Sequence, residues 1–251
     1  DAAVAFEVPS TDEMPARLES VLQVIYLVFN EGYAATAGDD WMRPALCDDA
    51  LRLGRMLAAL MPGEPEVHGL LALMEIQASR TRARASSTGE PILLLDQDRT
   101  RWDRAQIRRG LQALSRAESI VARQRAALGA YTLQAAIAGC HAIAADAAST
   151  DWQRIAALYE ALVAVTGSPI VELNRAVAVS YADSPQAALD VVDGVAIALA
   201  DYPLFYAVRA DLFVKLGRVR DARRDLEKAA SLTTNSREKN LLLERARSLA
   251  H

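Results

Sequence analysis

Histidine and cysteine are nearly missing from this sequence, with three and two respectively in 251 residues. His68, His141 and His251 show no His-x-x-x-His or Glu-x-x-His spacing, and Cys47 and Cys140 form no Cys-x-x-Cys pair. A metal centre therefore has no ligand pattern to rest on. A Gly-x-Ser-x-Gly elbow and a glycine-rich phosphate loop are also lacking. Without a nucleophile, a polarising group or a cofactor loop, the expectation is a protein that is not an enzyme and carries no cofactor. The two cysteines stand far apart within helical patterns, so buried reduced thiols are expected over a disulfide or a metal pair.

Aromatic residues make up only 6% of the chain, although 52% is hydrophobic, with Ala and Leu foremost. That balance favours helices packed closely through small side chains over a sheet rich in Val, Ile and Tyr. Pro and Gly are few and lie mostly between apolar runs, so disorder is not expected outside the ends. No apolar run approaches the roughly 20 residues that span a bilayer. The stretch from Asp1 to Pro15 lacks a basic start followed by an apolar core, so no secretory leader is read there. The expected location is the cytoplasm, with no membrane partner.

The net charge is −4, which argues against a chain that coats nucleic acid throughout. It is unevenly spread. Between Arg80 and Arg125 stand eleven Arg, no Lys and five acids, a local excess of six positive charges. Such a run is either a solvated helix face or a contact surface.

Helical periodicity begins after a short irregular arm, Asp1 to Asp12. Leu18, Val21, Leu22, Ile25, Tyr26 and Phe29 share one face, and Gly32 is expected to stop that helix. Pro44 opens a second helix with Leu46, Ala50, Leu53, Leu57 and Leu60 inside, ended by Pro62-Gly63. Pro65 opens a third through Val67, Leu70, Leu71 and Met74. The rhythm breaks at Arg80–Asp103, where Ser86-Ser87-Thr88-Gly89 is turn chemistry and Ile92–Leu95 is a short apolar run, strand-like or part of a loop. Thr100 or Asp98 is expected to cap the next helix, from about Asp103 to Ala126. Helices near Tyr131–Asp146 and Asp151–Val165 follow, the second with Thr150 and Gln153 as a capping box. Ser168-Pro169, Ser184-Pro185 and Asn235 with Glu238 mark further starts.

A shift of 34 residues aligns Pro169 with Pro203, Ala176 with Ala210, Val179 with Phe213, Asp183 with Gly217, Ala188 with Ala222 and Val192 with Leu226. Small residues recur where helix axes would approach, and larger ones where gaps need filling. Leu216-Gly217-Arg218-Val219-Arg220-Asp221-Ala222 resembles the turn and second-helix start of a tetratricopeptide (TPR) repeat. Two good repeats and a degenerate one at Tyr131–Val165 are read, capped by helices from Asn235. The expected fold is all-α: antiparallel helix pairs forming a TPR-like right-handed superhelix, with an N-terminal helical bundle portion. The expected division is a linker at 1–13, a helical subdomain at 14–126 and a TPR-like subdomain at 127–251.

Two polar clusters follow apolar runs: Asn30, Glu31 and Tyr33 beside Gly32, and Asp96, Gln97, Asp98, Arg99, Trp102 and Asp103. Each is either a hydrogen-bonded brace between helices, a ligand or peptide pocket, or a pair of working carboxylates. In the first of these, Arg99 would meet a carboxylate and satisfy helix ends.

The run Val21-Leu22-Gln23-Val24-Ile25-Tyr26-Leu27-Val28-Phe29-Asn30-Glu31-Gly32-Tyr33 resembles the start of the C-terminal extension carried by one group of bacterial extracytoplasmic-function (ECF) sigma factors of RNA polymerase. The similarity continues at Leu46–Leu53, Pro65–Met74, Leu95–Asp103, Tyr131–Ala138 and Leu173–Val179, nearly the whole chain. Phe6-Glu7-Val8-Pro9 resembles the linker leaving the promoter-reading domain, whereas 34–40 and 83–90 depart from the pattern. The resemblance implies a regulatory, protein-interaction region. Its partners would be the sigma factor's own DNA-binding domains, RNA polymerase or a signalling protein, and DNA would be contacted only through N-terminal domains absent from this fragment. The alternative from the residues themselves is a small-molecule-sensing domain with its pocket near Asp96–Asp103.

Overall fold

A computed structural model describes residues 10, 12–34, 42–86 and 91–249. The expected arm at 1–12, its Phe6–Pro9 segment and most of the Ser86–Gly89 turn lie outside the described residues or at their edge. Eleven α-helices and three single 3₁₀ turns are present among the described residues. The only β feature there is an isolated antiparallel bridge between Ala85 and Pro91. Ile92–Leu95 is therefore not a strand, and Leu94–Asp96 forms a 3₁₀ turn. No described helix is long and apolar enough to cross a membrane. The chain divides into two compact units, Asp1–Ala142 and Ile143–His251.

The first unit contains α1 (Met14–Tyr33), α2 (Pro44–Leu60), α3 (Pro65–Ala78), α4 (Arg104–Gln124) and α5 (Ala130–Ile143). Prolines open α1, α2 and α3 in their first turn, where a missing N–H costs nothing. Leu22, Ile25, Phe29 and Gly32 form the buried stripe of α1, while Val21 is 43% exposed. On α2 the buried face is Cys47, Ala50, Leu51 and Gly54, not the expected line through Leu53 and Leu60, which are 40% and 77% exposed. The reason is a close approach. A Cβ on Gly32 would lie 2.7 Å from the Cys47 nitrogen and 2.9 Å from the Arg43 carbonyl oxygen. That contact turns Cys47 inward, and Gly32 serves packing inside the last turn rather than helix termination. Burial, with Asp48 as a lesser cause, pushes the Cys47 thiol up to about 11. Cys47 and Cys140 are both buried as thiols.

Helix α3 is buried almost all round, from Val67 to Ile76 with only Leu71 partly exposed, and forms the centre of the unit. It carries Glu75, 2% exposed, whose carboxylate takes Arg55 at 2.6 and 2.9 Å and Arg109 at 3.4 Å. Gly110 on α4 lets the helix lie against Ile76 and Ala72. Asp103 caps α4 by accepting from the Gln106 amide at 2.9 Å, while Asp98 caps only the 3₁₀ turn Arg99–Arg101. Thr100 caps neither.

Helix α5 belongs to this first unit, which places the division at 142/143 rather than 126/127. Glu66 on α3 supplies the tie. Its carboxylate accepts from the amides of Tyr131 and Thr132 at 2.8 and 3.1 Å and from the Thr132 hydroxyl at 2.5 Å. A carboxylate thus neutralises the N-terminal donors of α5, where the helix dipole also favours it. Glu66→Ala is expected to destabilise the unit by about 2 kcal/mol through the exposed donors, and Glu66→Gln by less. Thermal unfolding checks this, and an unshifted midpoint for Glu66→Ala removes the anchoring role.

The second unit contains α6 (Trp152–Thr166), α7 (Pro169–Ala182), α8 (Pro185–Gly194), α9 (Pro203–Lys215), α10 (Val219–Leu232) and α11 (Ser236–Ser248). Helices α7 and α9 begin 34 residues apart, as do α8 and α10, so the sequence period is also a structural one. Ala176, Ala188, Ala210 and Ala222 are fully buried, with Val192, Phe213 and Leu226 filling beside them. The two helices of the expected degenerate repeat, α5 and α6, fall in different units. Caps agree in part. Ser184 and Asn235 accept the amides of Ala187 and Glu238, both at 3.2 Å. Asp151 rather than Thr150 caps α6, and Ser168 makes no capping bond. The aligned pair Asp183 and Gly217 differ: only Gly217 takes a left-handed turn, at φ +71°.

Candidate functional site

The sequence clusters at Asn30–Tyr33 and Asp96–Asp103 both lie in the first unit. Asn30, Glu31 and Tyr33 occupy the last turn of α1. Glu31 pairs with Arg43 at 3.1 Å across the α1–α2 junction. Tyr33 stacks on Phe29 with centroids 5.6 Å apart, and the Arg84 guanidinium lies 3.4 Å above its ring while donating to its carbonyl oxygen. Burial lowers the Arg84 pKa, with Tyr33 opposing that shift. Burial likewise raises the Tyr26 phenol, against a hydrogen bond to Asn30. These residues close the end of α1.

In the second cluster the side chains part ways. Asp96, Asp98 and Asp103 are exposed, and the last two are occupied with capping. Gln97, Arg99 and Trp102 turn inward, at 8%, 7% and 3% exposure. Arg99 donates to the His141 carbonyl oxygen at 2.5 Å, in the last turn of α5 where carbonyls lack helical partners, and lies 4.8 Å from the Trp102 ring centre. Gln97 donates to the Ile92 carbonyl oxygen at 3.0 Å, and Trp102 packs with Ile76, Ala83, Ile107 and Ala142. Burial, aided by the charges of Arg80 and Arg99, pushes the His141 imidazole down to about 4, so it is neutral at ordinary pH. This geometry ties the irregular segment to α5. The adjoining surface hollow, lined by Arg82, Thr100, Arg101, Trp102 and Asp103, is open to solvent. No group of three or more metal-ligating side chains occurs among the described residues.

The second unit holds a groove that the sequence reading did not name, of about 350 Å³ and with mostly apolar walls. Its lining follows the repeat. Val177, Asp211 and Arg245 occupy one position at successive steps of 34; so do Ser180, Val214 and Ser248, and Tyr181, Lys215 and Leu249. Three helices, α7, α9 and α11, thus present equivalent faces to one groove. Applying the same shift once more, past α10, would have found it. Alternative packing roles are visible too: Ala178, Leu212 and Ala246, another 34-step set, are buried beneath.

Charge in the groove is specific. Lys215 donates to the Ser180 hydroxyl at 3.1 Å and stands 4.1 Å above the Tyr181 ring. Tyr181 in turn stacks on Trp152 at 4.3 Å. Among the described residues no carboxylate lies within ion-pair distance of Lys215, and Asp211 pairs with Arg245. Burial lowers the Lys215 pKa, with Asp211 opposing. The groove therefore offers apolar walls, one aromatic ring and a partly desolvated ammonium.

Comparison with known proteins adds two findings. Residues 17–118 match a family of unknown function, DUF6596. An uncharacterized protein of Rhizobium meliloti (strain 1021) is 44% identical over 237 residues, covering 94% of this chain and 55% of its own length. The chain thus spans about half of that relative. The family match ends within α4, so the groove lies beyond it.

Proposed function

We propose that this chain is a protein-interaction module, the regulatory C-terminal region of an ECF sigma factor, working in the cytoplasm on transcription initiation. The groove of the second unit is the observation that carries the interaction role. Repeated helix pairs stacked as a TPR-like superhelix place equivalent faces side by side, and such a surface accepts a helix or an extended segment. Apolar walls beside an unneutralised Lys215 suit a segment that brings apolar side chains and one carboxylate. The sigma-factor assignment rests on the motifs at Val21–Tyr33, Pro65–Met74, Leu95–Asp103 and Leu173–Val179. A relative nearly twice the length leaves room for polymerase- and promoter-binding domains in a full-length protein. Partners of this reading are those domains, core polymerase or a signalling protein.

Calorimetric titration of the chain against the separately expressed N-terminal domains and against core RNA polymerase tests it. Binding to one of them is expected, weakened about tenfold or more by Lys215→Glu, since a reversed charge repels the incoming carboxylate. Binding to neither overturns the reading. A thermal-shift screen that finds a stabilising metabolite, lost on mutation beside Asp96–Asp103, would move the function to the sensing alternative.

A further inference from the structure

We infer that the outer face of α4 docks on the phosphate backbone of duplex nucleic acid without reading its sequence. Arg104, Arg108, Arg116 and Arg123 are all exposed, and helical spacing sets them within a sector of about 120°. Gln112, Ser115 and Ser119 lie between them, with Arg101 exposed just ahead of the helix. From Arg104 to Arg123 the ridge runs about 28 Å at the usual helical rise.

What separates this ridge from an ordinary solvated face is the lack of neutralising partners. On and just before α10, most exposed arginines meet a carboxylate of that helix: Arg218 and Arg224 reach Asp221 at 2.9 and 2.8 Å and Arg223 reaches Glu227 at 3.7 Å, which leaves Arg220 without one among the described residues. On α4 the ion-paired arginine is Arg109, held by buried Glu75. Arg101, Arg104, Arg108, Arg116 and Arg123 have no carboxylate within ion-pair distance among the described residues. The acids nearby do not fill that role. Asp98 and Asp103 accept backbone amides as caps, Glu118 sits half-buried at the edge of the face, and Glu64 on the adjoining turn pairs with none of them. Arg116 donates to His68 at 3.3 Å and to the Pro62 carbonyl at 3.5 Å, and Arg104 to the Arg99 carbonyl at 3.2 Å. These two are held by neutral groups that leave their charge uncompensated, whereas Arg108 and Arg123 carry no such bond among the described residues.

The chemistry of the ridge selects among polyanions. Protein interfaces centre on buried apolar or aromatic anchors, and the exposed apolar residues of the α4 face are Ala105 and Ala122, with Leu111 half-buried at its edge and packed against the core. Single strands are held by stacking on aromatic rings, which this face lacks. Arginine forks, hydroxyls and an amide are the groups that grip phosphate oxygens in duplexes. The ridge is close to one duplex turn in length, about 34 Å.

The test is a fluorescence-anisotropy titration of the whole chain into labelled duplexes of two unrelated sequences. Equal binding to both is expected at about 50 mM salt, weakening at least about tenfold by about 200 mM. The double variant Arg108→Glu, Arg123→Glu should weaken binding by more than about tenfold with an unchanged circular-dichroism melt. Arg223→Glu on α10 and Lys215→Glu in the groove should leave it as it was, which separates this inference from the groove reading. No binding at low salt overturns the inference, as does a double variant that binds like the parent. Tighter binding to a single strand, or displacement by poly-glutamate as effective as by unlabelled duplex, overturns it as well, the latter assigning the ridge to acidic proteins.

Discussion

Arg209→Ala is expected to destabilise the second unit by about 3 kcal/mol or more, the scale of a buried ion pair that loses one partner. Asp225 on α10 is 2% exposed, and Arg209 on α9 meets it with two bonds, Nε at 2.6 Å and Nη2 at 3.0 Å. The guanidinium also lies 4.9 Å from the Phe205 ring centre and 5.8 Å from that of Phe213. Truncation therefore leaves a carboxylate inside the α9–α10 interface with no cation, and strips a planar cover from two aromatic rings. Arg209→Lys should recover only part of the loss, because an ammonium cannot reproduce the fork or the stacking. The measurement is chemical unfolding monitored by circular dichroism. If Asp225→Asn together with Arg209→Leu restores the midpoint while Arg209→Ala alone lowers it, the cost lies in the stranded charge. An unchanged midpoint for Arg209→Ala sinks the account.

Gly69→Ala is the second large effect, expected at about 3 kcal/mol, the upper range for overpacking a core. The added Cβ would lie 2.4 Å from the Thr132 hydroxyl, 2.7 Å from its nitrogen and 2.9 Å from its Cα. Two of those atoms are backbone, so α5 itself must move, and with it the Glu66 bonds to Tyr131 and Thr132. Gly139→Ala is the internal control. It meets only Leu111 and Leu114 methyls at 3.5 Å, ordinary contact, and gains the helix propensity of alanine, up to about 1 kcal/mol. Opposite shifts in the thermal midpoint are expected from the two substitutions, and a similar small shift for both contradicts the crossing described.

Local chemistry accounts for what could be read in the sequence. Prolines at 44, 65, 169, 185 and 203 open helices because they cost nothing in the first turn, and each helix begins at that proline. The 34-residue shift was legible because alanines recur where helices touch, and the structure starts paired helices at that interval. The buried face of α2 was not legible. A one-dimensional period ranks Leu53 and Leu60 above Cys47 and Gly54, and only the contact of Gly32 with Cys47 and Arg43 reverses that order. Capping residues slipped by one or more positions at Asp103 and Asp151 for a similar reason, since several Asp and Thr side chains compete locally and the settled backbone selects one.

The sequence by itself determined the helical class, the positions of most helix starts and the repeat, because these depend on neighbours within a few residues or on residue size at a regular interval. It also marked the Arg-rich stretch and the two polar clusters. Tertiary structure alone decided which residues those features serve. It sent Gln97, Arg99 and Trp102 inward as a brace on α5 and left Arg104, Arg108, Arg116 and Arg123 of α4 exposed with no carboxylate in ion-pair distance among the described residues. It joined α5 to the first unit through Glu66, sixty-five residues from Tyr131. It also brought Tyr181, Lys215 and Leu249 to one groove. Each of these outcomes depends on which distant groups share space, and burial and Coulomb energies respond to that distance rather than to separation along the chain.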